Sequence, residues 1–336
     1  MFDRIFEAMY AKVFINIIVK RFTTLVYIEI DSKKGVQSSL EKEFESVEFN
    51  DAMYEFIQEY VKESPYFYVT VLDTSSQQGA VPTCSKNRID YYALVENIEY
   101  KCQNKTWAFY TTHDAIVSIK KKYATVGVDY IFSPYAILSD FFKDKIDSHL
   151  ALYILVQENY LSIAIYENSQ LLYAHHLDMM VQDDFDAIEM DEHLDELPLD
   201  DDAVELDNIT LLDEEEIEDF ADIEDLDAID DIDEFSENKD VDEELLESTD
   251  TLKDADDTKF NEDYQRFTLI QSAVAEFYKD ERYESRFVEN VYVADSVGVT
   301  NDFKKYLEEE MFFNVYVRRA DLALEVCELA KKELGL

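Results

Sequence analysis

Between Asp183 and Phe260 the chain carries 37 acidic residues against Lys239, Lys253 and Lys259, so 34 of its 47 net negative charges lie in one stretch. Like charges at that density repel one another, and Phe185, Phe220, Phe235 and Phe260 are too few to bury a core. The composition predicts a long disordered acidic insert over 182–260, which divides what can fold into a part before it and a part after it. Apolar residues do recur at intervals of three inside it (Ile217, Phe220, Ile223, Leu226, Ile229, Ile232), leaving room for transient helix or a docking motif.

Outside that run the charge is moderate. With 47% apolar and 14% aromatic residues in a chain of 336, there is material for two cored domains. The net charge argues against general electrostatic attraction to nucleic acid or to anionic lipid, and favours a basic partner or plain solvation. Cys84, Cys102 and Cys327 are dispersed and match no metal spacing, so three reduced thiols are expected. No window approaches the roughly 18 consecutive apolar residues of a spanning helix. The first residues, MFDRIFEAMYAK, lack the core of a signal peptide. A cytoplasmic protein without direct membrane insertion is the expectation.

The elements read as two α/β lobes, 1–148 and 149–181 plus 261–336. In the first, VFINIIVKR (Val13–Arg21) and TTLVYIEID (Thr23–Asp31) form a hairpin, and LEKEFESVEF (Leu40–Phe49) is a candidate third strand. Asn50 or Asp51 caps a helix that ends before Pro65, and YFYVTVLD (Tyr66–Asp73) is a buried strand. TWAFYTT is a strand, HDAIVSIKKKYATVG a helix closed by Gly127, and VDYIF a strand followed by Pro134 and another helix. The second lobe opens with a three-strand meander: HLALYILVQ, a Glu158-Asn159 turn, YLSIAIYEN, and QLLYAHHLDM. Beyond the insert come a long helix from about residue 263, the strand VENVYVAD, a helix, the strand NVYVRRAD and a closing helix. Meander, helix, strand, helix implies a mixed sheet in each lobe.

Three passages carry a family resemblance: KKYATVGVDYIFSPYAIL (Lys121–Leu138), LYILVQENYLSIAIYENSQLLYAHHLDM (Leu152–Met179) and VENVYVADSVGVTNDFKKYLEEEMFFNVYV (Val288–Val317). In order and rhythm they resemble the actin-like ATPase superfamily, in particular the pilus-assembly PilM family and the cytoplasmic domain of the type II secretion protein GspL. The resemblance implies a two-lobed actin-like (ribonuclease H-like) fold with the acidic insert in the second lobe. It also implies a nucleotide pocket on two hairpin turns and a third loop. Backbone must approach phosphate closely there, which calls for Gly, and Asp manages the metal and water.

The corresponding positions are altered. The first turn, INIIVKRF, has Asn16 in the place of an Asp and no Gly; the second, LVQENYLS, has Gln157 and Asn159 with neither Asp nor Gly. ADSVG (Asp295, Ser296, Gly298) keeps one glycine where the family has a run. A degenerate pocket with no catalytic residue, metal or cofactor follows, and with it no ATP hydrolysis. The resemblance then implies a non-catalytic scaffold of a type IV pilus, type II secretion or DNA-uptake assembly. Its partners would be the cytoplasmic tail of an inner-membrane protein and the hexameric secretion ATPase, and no nucleic acid. The rivals are an active ATPase or kinase of the same fold, and a protein whose acidic insert binds basic partners.

Other chemistry is weaker. LDTSSQ (Leu72–Gln77) has the Asp-Thr-Ser order of an aspartic protease but reads more simply as a turn. His175 and His176 are adjacent on a strand and point to opposite faces, so they cannot chelate one ion together; a partly exposed strand end is expected there.

Overall fold

The computed structural model describes residues 10–32, 35–93, 95–147, 149–179 and 247–336 and, for 247–258 and 260, the backbone alone. One compact unit joins Met1–Gln182 to Lys253–Leu336 and holds every sheet among the described residues. The expected acidic insert lies outside the described residues as far as 246.

The first sheet is built from β1 (Lys12–Val19), β2 (Thr24–Ser32), β3 (Gly35–Phe44), β4 (Phe67–Leu72) and β8 (Tyr130–Phe132), in the order β3-β2-β1-β4-β8. β1, β2 and β3 are antiparallel neighbours, while β4 runs parallel to β1 and β8 parallel to β4. The second sheet repeats this plan with β9 (Ala151–Val156), β10 (Tyr160–Glu167), β11 (Gln170–Asp178), β12 (Asn290–Asp295) and β13 (Asn314–Arg319), in the order β11-β10-β9-β12-β13. Here too the meander is antiparallel and the last two pairings are parallel. Two copies of one 3-2-1-4-5 sheet in a single chain make the actin-like fold. Between β4 and β8 the first lobe adds a small sheet of β5 (Gln78–Val81), β6 (Ile98–Gln103) and β7 (Trp107–Thr112), ordered β5-β7-β6.

Helices cover both faces of both sheets. α1 (Asp51–Val61) and α3 (His113–Lys122) lie outside the first sheet, where Met53, Ile57 and Tyr123 pack on Val13, Ile15 and Ile17. α2 (Lys86–Tyr92) joins the small sheet through Ile89. α5 (Glu247–Lys279) and α6 (Asn301–Glu309) cover the outer face of the second sheet with Ile270, Phe277, Phe303 and Leu307. α4 (Pro134–Phe141) and α7 (Leu322–Glu333) share a core with the inner faces of both sheets, meeting Phe14 and Ile18 of one and Tyr153 and Leu155 of the other. Buried on both faces, β9 reads as an unbroken apolar run, and β1, after its first residue, as one interrupted only by Asn16.

Local chemistry explains the ends. Asn50 Oδ1 accepts the Met53 N–H at 3.0 Å and starts α1; Thr112 and Ser133 cap α3 and α4 in the same way, with Pro134 in the first turn of α4. Asn168 and Ser169, both at positive φ, form the tight turn between β10 and β11.

Several expectations shift. β3 lies at Gly35–Phe44 rather than 40–49, because it registers against β2 from Thr24 to Ser32. α3 ends at Lys122, and Gly127 (φ +77°) closes a later turn by donating to the Tyr123 carbonyl at 2.9 Å. α5 begins at Glu247, well before residue 263. The expectation of three reduced thiols is corrected: Cys84 and Cys102 form a disulfide with Cα atoms 5.5 Å apart, leaving Cys327 as a buried thiol. Their 18-residue separation hides the pairing, which arises because the β6–β7 hairpin folds back beside the chain leaving β5. Among the described residues no helix is long and apolar enough to cross a membrane.

Candidate functional site

β1 and β9 end on the same side of the molecule, and the turns that follow them face each other. The Lys20–Thr23 turn, the Gln157–Asn159 turn, the loop after β12 and the start of α7 enclose a cleft of about 460 Å³. This is where the resemblance implies a nucleotide pocket.

The first turn gives its polar groups to its neighbours. Lys20 N–H donates to the Thr23 carbonyl at 2.8 Å, and Lys20 Nζ lies 3.0 Å from Glu43 Oε1 on β3. Thr23 Oγ1 donates to the same carboxylate oxygen, and these bonds from Thr23 and Lys20 hold the Glu43 carboxyl below its ordinary range. The Arg21 N–H, which would be free to bind an anion, donates instead to Glu158 Oε2 of the opposite turn at 3.0 Å. The Arg21 side chain donates to Glu262 at 2.9 Å. Glu262 also accepts from Arg266, which bonds Asp263 at 2.6 Å, and Asp263 accepts the Thr300 N–H at 2.7 Å. A run of paired charges thus ties the first turn to α5 and to the start of α6.

The third loop is closed on itself. Asp295 Oδ1 accepts the N–H groups of Val297, Gly298 and Val299 at 3.0, 2.7 and 3.2 Å. Arg319 Nη1 covers Asp295 Oδ2 at 2.8 Å. Converging backbone N–H groups form a nest that attracts anions, and here the protein's own carboxylate fills it. Gly298 suits this loop because its φ is +85°, in the left-handed region that side chains rarely adopt.

Of the six residues the sequence singles out, Gln157, Asn159 and Ser296 line the cleft. Ser296 is spent on the Val156 carbonyl, to which its Oγ donates at 2.6 Å. Gln157 Oε1 and Asn159 Oδ1 are buried and accept no hydrogen bond from any described residue. Asp295 and Gly298 build the wall loop. Asn16 does not sit at a turn; it lies fully buried midway along β1, on the inner face toward Cys327 of α7. Burial pushes that thiol up to about 12. Sequence reasoning missed Glu43, Glu158, Asp321 and Arg319 as cleft residues; only the Asp-x-x-Gly spacing of Asp295 and Gly298 hinted at a carboxylate bonded to its own loop.

Beside the cleft, Tyr160 stacks on His176 with ring centroids 5.0 Å apart. His176 is buried rather than partly exposed, because β11 turns it inward to Ser162 Oγ, 3.0 Å away. Burial, aided by His175, pulls its pKa down to about 3. Asp73 of the Asp-Thr-Ser sequence is a buried turn residue whose Oδ1 accepts the Ser75 N–H at 2.9 Å, and burial raises its pKa.

A magnesium nucleotide does not fit these residues. The cleft lining carries Glu41, Glu43, Glu158 and Asp321 against Lys20 and Arg319, and both cations are already paired. The N–H groups that could meet phosphate are taken by Glu158 and Asp295. Among the described residues no three His, Cys, Asp or Glu side chains are grouped to hold a metal ion.

Residues 10–139 match the family model described as Domain of unknown function (DUF8569), and 152–335 match the one described as Domain of unknown function (DUF8341). No curated protein matches the chain. Among solved structures it is similar to a Bacteroides thetaiotaomicron protein with an actin-like ATPase fold and unknown function, at 10% identity, 96% of each chain covered and a TM-score of 0.49. It is similar also to the PilM-PilN type IV pilus biogenesis complex, at 9% identity, 94% of each chain and 0.49. The ethanolamine utilization protein EutJ from Carboxydothermus hydrogenoformans follows at 8% identity, covering 94% of this chain and 89% of that one, with a TM-score of 0.38. With more than half its length matched, the chain belongs to the family described as Domain of unknown function (DUF8341).

Proposed function

We propose that this protein is a non-catalytic scaffold, an actin-like fold that has given up its nucleotide and serves as a docking body. The observation that carries this reading is the Asp295 carboxylate seated on the N–H groups of 297–299. An anion held there by three backbone donors competes with any phosphate and repels it. Glu158 on the Arg21 N–H does the same at the first turn.

The sequence resemblance to the PilM and GspL group supplies the setting: the cytoplasmic face of an inner membrane, in a type IV pilus, type II secretion or DNA-uptake assembly. Its partners there are the cytoplasmic tail of a membrane-embedded assembly protein and the hexameric secretion ATPase. A tail segment of such a partner, offered at increasing length to the purified protein, is expected to bind with one-to-one stoichiometry and to raise its melting temperature. Absence of any such shift with tails from all three machines would remove the scaffold assignment.

A further inference from the structure

We propose that the interlobe cleft is a receptor for an alkylammonium group, such as a lysine side chain presented by a partner or a free polyamine. This rests on the reading that the cleft takes no nucleotide, and it names what the cleft takes instead.

Three features agree. First, Gln157 is 6% exposed, lines the cleft, and carries an Oε1 that accepts no hydrogen bond from the described residues. Asn159, two residues on in the same turn and partly buried, carries an Oδ1 that likewise accepts no hydrogen bond from the described residues. A buried acceptor without a donor is costly, and a ligand that brings N–H groups relieves the cost. An ammonium offers three donors and no acceptor.

Second, the surrounding charge has the matching sign. Glu41 and Glu158 face the cleft beside the paired Glu43, whereas Lys20 and Arg319 are committed to Glu43 and Asp295. Third, the walls between these acceptors are apolar: Leu25, Val297, Leu322 and the Tyr160 ring. A methylene stem can lie along such walls while its charged head reaches the carboxylates. The roughly 460 Å³ cleft is large enough for a slender chain of this kind.

The test is calorimetric titration of the full chain at about 0.15 M salt. The probes are Nα-acetyl-lysine methylamide and spermidine, with Nα-acetyl-norleucine methylamide as the neutral counterpart. At least one ammonium probe is expected to fill a single saturable site and the neutral probe none; whichever ammonium binds tighter identifies the source. Gln157→Leu is expected to weaken that site about tenfold or more while leaving the melting temperature unchanged or raised, since it removes an unsatisfied acceptor. Glu41→Gln, at an exposed position, is expected to weaken it by a few-fold and to flatten its salt dependence. The acidic run between 183 and 246 supplies a weak multivalent background that neither substitution alters. Failure of both ammonium probes to saturate, or binding equally strong in both variants, overturns the proposal. Tight binding of magnesium ATP would instead overturn the reading on which it rests, so the two failures are distinct.

Discussion

Glu158, at the tip of the β9–β10 turn, accepts the backbone N–H of Arg21 in the β1–β2 turn at 3.0 Å, joining the two lobes across the mouth of their cleft. The two turns that an actin-like ATPase would hold apart around phosphates are here bonded to each other. Glu158→Ala is expected to lower stability by about 1.5–3 kcal/mol, the range for a hydrogen bond to a charged group. Amide exchange at Arg21 is expected to rise at the same time. A variant with unchanged exchange there would show that the contact does not hold the lobes.

The three N–H donors, rather than the guanidinium, carry the Asp295 interaction. Asp295 is buried, whereas the Arg319 side chain is 64% exposed. Asp295→Ala is expected to cost about 2–3 kcal/mol by orphaning amide groups, and Asp295→Asn, which keeps one acceptor oxygen, about 1. Arg319→Ala is expected to cost less than about 1 kcal/mol, as exposed ion pairs do. Urea denaturation of the three variants gives the ranking directly.

Glu29 on β2 and Lys331 on α7 form a buried pair between the first sheet and the helix that crosses it, at 2.5 Å with 2% and 12% side-chain exposure. Lys331→Met leaves a charge buried without its partner and is expected to cost about 3–5 kcal/mol. The double change with Glu29→Leu is expected to recover most of that loss, because an apolar pair of similar volume fills the site. A double variant no better than the single one would point to the ion pair itself as the stabilising element.

His176 gives the fold a pH dependence of known sign. Its native pKa, near 3, lies below the unfolded value of 6.5, so the folded state excludes its proton. Stability is full above pH 6.5 and falls as pH drops toward 3, by about 1.4 kcal/mol per unit in that window. Melting temperature between pH 7 and 4 is expected to decline more steeply in the native protein than in His176→Gln. Parallel curves would mean that other groups govern the acid limb.

The central strands β1 and β9 were legible in the sequence because they are buried on both faces. Phe14–Ile18, interrupted only by Asn16, and Leu152–Val156 are too short for helices and rich in β-branched residues, and the order of such runs carries the doubled topology. β5 and β6 were not legible: Gln78–Val81 is short, and Ile98–Gln103 is mostly exposed, so neither has a hydrophobic pattern to show. Gln157, Asn159 and Ser296 could be placed at the cleft from their turns. Glu43 and Arg319 could not, since each reaches the site from a different strand and only the closed sheets bring them in. Asn16 misled because substitution of an expected Asp suggested a turn, while strand parity puts it beneath the cleft facing α7.

Whether this cleft accepts a nucleotide is decided by calorimetric titration of the full chain with ATP and magnesium, beside a phosphate-release assay. A cleft closed by Asp295 and Glu158 gives no saturable heat up to millimolar nucleotide and no release above the buffer rate. Micromolar binding with turnover would contradict it, and would mean that Asp295 and Glu158 move off their N–H groups to let phosphate in.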